Sequence, residues 1–393
     1  NTSIGATSYQ IQVSTTSGFS TTVFDQSGIT STSTSISPAL LNNTVYYWRV
    51  NASNIIGTSP WSPTWSFTTA AVIPPIENNG AGYALDFDGT NDYVNCGNNT
   101  SVQITGTAIT MEAWIKTTKP TSTMAILKKT GVIGGGTGYE LYCGSAGYIY
   151  CRFNGADVSR AISTTSYSGT SPWMHVAATY DGISTKIYIN GVLEATTPYT
   201  ASIVNSANSL YIANDPSTAA RFFQGSIDEV RLWNVVRSDS EIKGNMTKKL
   251  IGNESGLVGY WRFNETSGSS MNDETSNNND GTMTNMDPLT DHVWSGAALG
   301  DASVSDYNSA GGYTATLLSP DGDAITATTT SGTITGIQIY RVDDNPLRPN
   351  STTPVGLSLS PLRYWGVKAI GSGTPTYTVV YNYSGHPGIT PAN

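Results

Sequence analysis

Charge is scarce in this chain: charged side chains make up 12% of its 393 residues, so few positions are left for ionic chemistry. Lys and Arg total 19 against 28 Asp and Glu, giving a formal charge of −9, and no Lys/Arg stripe offsets it locally. A nucleic-acid partner is excluded on those grounds. Apolar runs of the roughly 18 residues needed to span a bilayer are absent, so no membrane insertion is expected. No charged-then-apolar leader follows Asn1, which reads as a processed chain or a fragment. Only three cysteines occur, Cys96, Cys143 and Cys151, and their spacing fits no zinc site. A tight hairpin through Gly144-Ser145-Ala146-Gly147 is expected to set Cys143 opposite Tyr148 and Cys151 on the other face, which argues for buried free thiols. The three histidines, His175, His292 and His386, lie in different contexts, and neither a Gly-x-Ser-x-Gly elbow nor a His-Glu-x-x-His pair accompanies them.

What the chain does contain is Thr, Ser, Asn and Gly, with 22 Tyr and 9 Trp to supply apolar area, a mixture that suits short strands joined by many turns. Its length implies several domains. Residues 1–70 alternate with period two at Tyr9, Ile11 and Val13 and again along Val45-Tyr46-Tyr47-Trp48-Arg49-Val50. With the closing Trp65-Ser66-Phe67-Thr68-Thr69, this block resembles the later strands of a fibronectin type III domain. That resemblance implies two further strands before Ser8, so Tyr9, Ile11, Val13 and Trp48 are expected to be partly uncovered. Residues 71–80 carry Pro74-Pro75 and read as a linker.

From residue 81 to 291 strands recur with turn signals, the clearest being Lys186 to Leu193 around Asn190-Gly191, a dipeptide suited to a type I′ hairpin. Ser238 with Glu241 forms a capping-box signature for one helix presenting Ile242, Met246 and Leu250, with Gly252 as the expected stop. The segments Ala84-Leu85-Asp86-Phe87-Asp88-Gly89-Thr90-Asn91-Asp92-Tyr93-Val94, Met111-Glu112-Ala113-Trp114-Ile115, Trp173 to Gly182, and Phe223 to Trp233 resemble the laminin-G-like, concanavalin A-like jelly roll of bacterial secreted proteins. Gly256 to Glu265 and Asn279-Asp280-Gly281-Thr282 extend that likeness. Residues 292–393 alternate again, through Gly336 to Val342 and Tyr377, Val379, Tyr381 and Tyr383. The fold class expected is all-β: three β-sandwich domains in tandem, the central one a laminin-G-like jelly roll with one short helix.

Jelly rolls of this class include glycoside hydrolases, whose glucanase members place their acids as Glu-x-Asp-x-x-Glu on one strand face. No such string occurs, and Asp228-Glu229 are adjacent, which on a regular strand turns them to opposite faces. No catalytic residue is therefore assigned, and the chain is expected not to be an enzyme. The resemblance implies one structural calcium ion held by Asp88, Gly89, Asp92 and Asp228; turn capping by the same aspartates is the competing reading. Asp321-Gly322-Asp323 and Asp343-Asp344 are weaker metal candidates. Trp114, Trp173, Trp233 and Trp261 fall inside the family segments and are read as core. Candidate ligand-binding residues, placed by topology at loops, are Tyr139, Asp157, Arg160, Asn214, Asp215 and Arg221. The function implied is that of a non-catalytic, secreted bacterial cell-surface protein that binds glycans or surface polysaccharide, or mediates adhesion. A second reading is a filament or surface-layer subunit whose partners are copies of itself, assembled by strand donation from Gly385 to Asn393. A module associated with a glycoside hydrolase is a third.

Overall fold

The computed structural model describes residues 5–36, 40, 44–69, 80–117, 122–130, 136–167, 172–216, 221–265, 268–308, 312–343 and 364–382. The chain divides into two compact units, Asn1–Pro75 and Ile76–Asn393. Residues 71–79 of the expected linker and the segment Gly385 to Asn393 lie outside the described residues.

The first unit is a five-stranded antiparallel sheet in the order Phe24–Ile29, Ser8–Ser14, Val45–Asn54, Gly57–Thr58, with Trp65–Thr68 also paired to Val45–Asn54. Register sets Val13 opposite Trp48 and Ile11 opposite Val50, so the apolar members of the alternation share one face. Val13 and Tyr46 are buried, whereas Tyr9, Ile11 and Trp48 are half-buried. A cavity of about 650 Å³ opens beside Tyr9, Ile11, Trp48 and Trp65. Trp65 remains 44% exposed, so the described part of this face is only partly covered.

Two eight-stranded antiparallel sheets form the jelly roll. The first runs Val192–Pro198, Ser184–Ile189, Met174–Tyr180, Ile109–Lys116, Gln224–Trp233, Tyr83–Asp88, His292–Trp294, with Leu257–Trp261 on the far end of Gln224–Trp233. The pairing of His292–Trp294 with Tyr83–Asp88 carries this sheet into the stretch assigned above to the C-terminal block. The second sheet runs Ala156–Ser166, Tyr148–Phe153, Gly138–Cys143, Met124–Thr130, Tyr211–Ile212, Tyr93–Asn95, Gly281–Thr284, Ser270–Met271. Between them lies one core, to which Ile109–Lys116 contributes Ile109, Met111, Ala113 and Ile115 at alternate positions. Asn190 and Gly191 both take positive φ, 48° and 79°, as a type I′ turn requires.

The first sheet is buried on its outer face as well. Its outward residues include Glu112, Trp114, His175 and Trp233, each at most 2% exposed. One cover is the helix Asp239–Asn245, whose Ser238 and Glu241 make the capping box in full and whose Ile242 packs on Ala177 and Tyr188. The helix stops well before Gly252, with Met246 as its C-cap. The other cover is the C-terminal sheet of Ala302–Asp306, Thr314–Leu318, Ala324–Val342 and Tyr364–Asn382. Ala324–Val342 and Tyr364–Asn382 pair along their length with three register shifts, and residues from both halves, such as Ile325 and Ile339, share one core. This sheet joins the jelly roll through a second cluster containing Trp114, Trp173, Leu299, Tyr340 and Val342. Trp261 lies in the main core, so the four tryptophans read as core from the sequence are all buried.

Cys143 and Cys151 depart from the expected register. The hairpin closes on Gly144 and Tyr148 around Ser145-Ala146-Gly147, with Gly147 at φ 84°, a three-residue loop ending in a bulge position. Cys143 therefore faces Ile149, one residue on, and Cys151 points to the same side as Cys143. All three cysteines are free and buried in the main core.

Candidate functional site

With one sheet covered on both faces, the chemistry of the jelly roll concentrates on the outer face of the other. Strand register lines up a polar row across seven of its eight strands: Ser270, Thr282, Asn95, Tyr211, Lys128, Glu140 and Arg152 stand opposite one another in turn. Directly opposed residues project from the same face, so this row is continuous. A second row beside it sets Tyr142 opposite Tyr150 and Tyr150 opposite Ile162.

The centre of the first row is an ionic network sealed from water. Lys128 is fully buried and its Nζ donates to Asp215 Oδ1 and, at 2.9 Å, to the Tyr142 hydroxyl. Tyr142 passes its one proton to Asp215 Oδ2 at 2.8 Å. Glu140, 1% exposed, lies 3.6 Å from Lys128 Nζ, receives Thr130 Oγ1 at 2.9 Å and is held by Arg152 Nε. Arg152 also donates to Asp157 Oδ1 at 2.8 Å, and Arg221 donates to Asp215 Oδ2 at 3.2 Å. Burial drives the Lys128 ammonium below its ordinary value even against the pull of Asp215 and Glu140, and burial followed by the two carboxylates pushes the Tyr142 phenol far up. At the Arg152 guanidinium, burial is outweighed by Glu140, which holds the cation charged. Asp157 sits below the usual carboxylate range because Arg152 donates to it.

Aromatic rings flank the network, Tyr142 buried within it and Tyr150 half-buried beside it. Tyr142 and Tyr150 stack with centroids 5.2 Å apart. The Arg221 guanidinium lies 5.7 Å from the Tyr142 ring and that of Arg160 5.7 Å from the Tyr150 ring. Tyr93, Tyr211 and Phe222 form a neighbouring cluster, with Tyr93 5.8 Å from Tyr211 and 6.4 Å from Phe222.

Of the ligand residues expected from the sequence, Asp157, Arg160, Asp215 and Arg221 are brought together here, and buried Asn214 adjoins Asp215 in the chain. Tyr139 is not part of the site. It points into the core, 1% exposed, with its hydroxyl donating to the Val102 carbonyl at 2.8 Å, because it alternates with Glu140 across the pleat. Lys128, Glu140, Tyr142, Tyr150 and Arg152 were missed. Their signal was available in Tyr139-Glu140-Leu141-Tyr142-Cys143 and Tyr148-Ile149-Tyr150-Cys151-Arg152-Phe153, where polar or aromatic residues alternate with core ones.

The calcium set does not converge. Asp88 pairs opposite Gln224, which places Asp228 four residues away, about 13 Å along the strand. Asp88 Oδ1 accepts the Thr90 amide at 2.7 Å and the Asn91 amide at 3.3 Å, while Asp92 Oδ2 accepts the Asp88 amide at 2.9 Å. These are turn-capping bonds, and Gly89 at φ 79° supplies the turn. Burial raises the Asp88 carboxyl, but the Thr90 and Asn91 amides outweigh it and hold it below its ordinary value. Asp228 is wholly buried, with Oδ1 accepting the Glu229 amide at 2.7 Å and Oδ2 receiving Ser295 Oγ. Burial and the charge of Glu229 push its carboxyl well above the carboxylate range. A bulge follows at Glu229, φ 51°, so the simple alternation expected for Asp228-Glu229 breaks, and Glu229 turns to Arg231 at 2.9 Å and Arg262 at 3.3 Å. Asp321 and Asp323 likewise close a hairpin, with Ser319 N donating to Asp323 O at 2.7 Å. Asp343 is clamped by Arg341 at 2.7 Å, and Asp344 lies outside the described residues. Among the described residues, no cluster of three or more His, Cys, Asp or Glu side chains could hold an ion.

Comparison with known proteins places these domains. Residues 88–243 match the family model of the concanavalin A-like lectin/glucanases superfamily. Residues 2–72 match that of the Rha78A-like N-terminal immunoglobulin domain. No curated protein matches the chain. Among solved structures, a Bacteroides ovatus protein described as carbohydrate binding is 22% identical, covering 62% of this chain and 68% of its own, with a TM-score of 0.44. A heptameric pentraxin from Limulus polyphemus is 12% identical over 42% of this chain and 81% of its own, with a TM-score of 0.34. The Ruminococcus gnavus sialidase module CBM40 bound to α2,3-sialyllactose is 19% identical over 41% and 94%, with a TM-score of 0.33. The chain therefore carries an immunoglobulin-like domain followed by a laminin-G-like jelly roll of the concanavalin A-like superfamily.

Proposed function

We propose that the chain is a non-catalytic carbohydrate-binding module of an extracellular bacterial protein, serving glycan capture or adhesion, and that the sugar lies on the outer face of the second jelly-roll sheet. The observation that carries this reading is the accessible rim of the network, Arg221 and Arg160 beside half-buried Tyr150 and Tyr211, held from beneath by buried Lys128, Glu140 and Arg152. Sugar recognition needs hydrogen-bonding groups held rigidly beside aromatic surface, and side chains locked by mutual ion pairs lose little freedom when a ligand arrives.

The same pairing argues against hydrolysis. Glu140 and Asp215 are the two acids nearest the centre, yet both are buried and their oxygens are engaged by Arg152, Thr130, Lys128, Tyr142 and Arg221. A glycosidase needs an acid and a base that reach the scissile bond.

A glycan array probed with the purified chain tests the reading. Binding to a defined set of glycans, weakened in Arg221→Ala and Tyr211→Ala while circular dichroism shows both variants folded at the assay temperature, is the expected result. An empty array, or hits indifferent to both substitutions, would contradict it.

A further inference from the structure

Resting on that placement of the site, we infer that the ligand carries a carboxylate, as a uronic acid or a nonulosonic acid does. Some charges of the network are already committed to one another and others still face solvent. Glu140 and Asp215 lie below the surface, their side chains 1% and 0% exposed, where they neutralise Arg152 and Lys128. Asp157, although 68% exposed, already receives Arg152 at 2.8 Å.

The cations at the rim are in the opposite condition. Arg221 is 23% exposed and, among the described residues, its hydrogen-bonding partner is Asp215 alone. Arg160 is 41% exposed and stands 3.9 Å from Asp157, beyond hydrogen-bond distance. Each guanidinium has five N–H donors in a planar fork, so most of this capacity is unspent. Both groups are positioned from behind by the stacked pair Tyr142 and Tyr150, one guanidinium against each ring.

A neutral sugar offers hydroxyls that both give and take protons and is served best by a mixture of donors and acceptors. Around Arg160 and Arg221 the exposed groups of the network are guanidinium donors and the Asp157 carboxylate, already engaged by Arg152, and the acceptors beneath them are occupied. A carboxylate accepts two parallel N–H bonds from one guanidinium, a pairing about twice as strong as a neutral hydrogen bond. The surplus of positive charge at this rim also stands out in a chain of net charge −9, whose remaining surface would repel an anion.

The test is isothermal titration of the whole chain with lactose, sialyllactose, a glucuronic-acid oligosaccharide, and the amides of both acids. The free acids are expected to bind at least about tenfold more tightly than their amides, the loss expected when a charge-assisted bond is removed. That affinity should weaken between low and high salt, and Arg160→Gln, at the exposed rim, should remove most of the difference between acid and amide. Which acid binds identifies the sugar class. Equal affinity for acids and amides would overturn the inference while leaving glycan binding in place. If none of these sugars binds and the array is empty too, both readings fall together.

Discussion

Lys128 donates to Asp215 with both side chains wholly out of water, on the outer face of a sheet where charged groups are ordinarily solvated. Removing one partner of a buried pair leaves the other charge uncompensated, which costs about 3–5 kcal/mol. Lys128→Met is therefore expected to destabilise the jelly roll by about that amount. The double variant Lys128→Met/Asp215→Leu should recover part of it. Urea unfolding of the three proteins checks this, and a single variant as stable as the parent would show that the network is not intact in solution.

His175 makes stability depend on acid. Burial pushes its imidazole below the ordinary 6.5 against the pull of Glu112, 3.3 Å away, and Arg231 and Lys368 push the same way. The folded chain stays neutral there while the unfolded chain takes up a proton, so this contribution to stability is lost as pH falls below about 6.5. Glu112, held below its ordinary value chiefly by His175 against its own burial, loses stability in the same direction at lower pH. Asp228, raised by burial, works oppositely, so the informative quantity is the difference between proteins. The melting temperature of His175→Gln should fall less between about pH 7 and pH 5 than that of the parent. Parallel profiles would contradict this assignment.

At the helix, Ser238 accepts the Glu241 amide and anchors a segment whose Asp239 receives the Tyr188 hydroxyl at 2.7 Å. Ser238→Ala is expected to cost about 1 kcal/mol, and Ser238→Asp much less. Thermal unfolding measures both, and equal losses would mean that the cap is not the cause.

Gln338 ties the C-terminal sheet to the jelly roll. Fully buried, it accepts Thr247 Oγ1 at 2.7 Å and donates to the Lys243 carbonyl at 2.9 Å and to Tyr307 OH at 3.0 Å. Gln338→Leu should cost about 1–3 kcal/mol for each polar group left without a partner. Adding Thr247→Val should return some of it. Calorimetry reads the result, and additive losses in the double variant would deny the coupling.

Much of this architecture was legible from local pattern. Asn190-Gly191, the Ser238 and Glu241 cap, and the alternation through Met111 to Ile115 each specify a backbone geometry through chemistry contained in a few residues. Register was less legible: one residue of hairpin closure at Gly144 and Tyr148 decides which way Cys151 points. The site divides along the same line. Asp157, Arg160, Asp215 and Arg221 were reachable from topology, whereas Lys128 finds Asp215 across 87 positions of sequence through the pairing of Tyr211 with Lys128. Asp88 and Asp228 fail to meet for the same reason, since they lie on paired strands but four positions apart in register.

A crystal structure of the chain with a glycan identified on the array locates the bound sugar. The expected result is a sugar ring on the outer face of the second jelly-roll sheet, with its polar groups within hydrogen-bond distance of Arg221 or Arg160 and its ring against Tyr150 or Tyr211. A sugar found instead in the cavity beside Trp48 and Trp65 of the N-terminal domain, with the outer face empty, would refute binding on the second jelly-roll sheet.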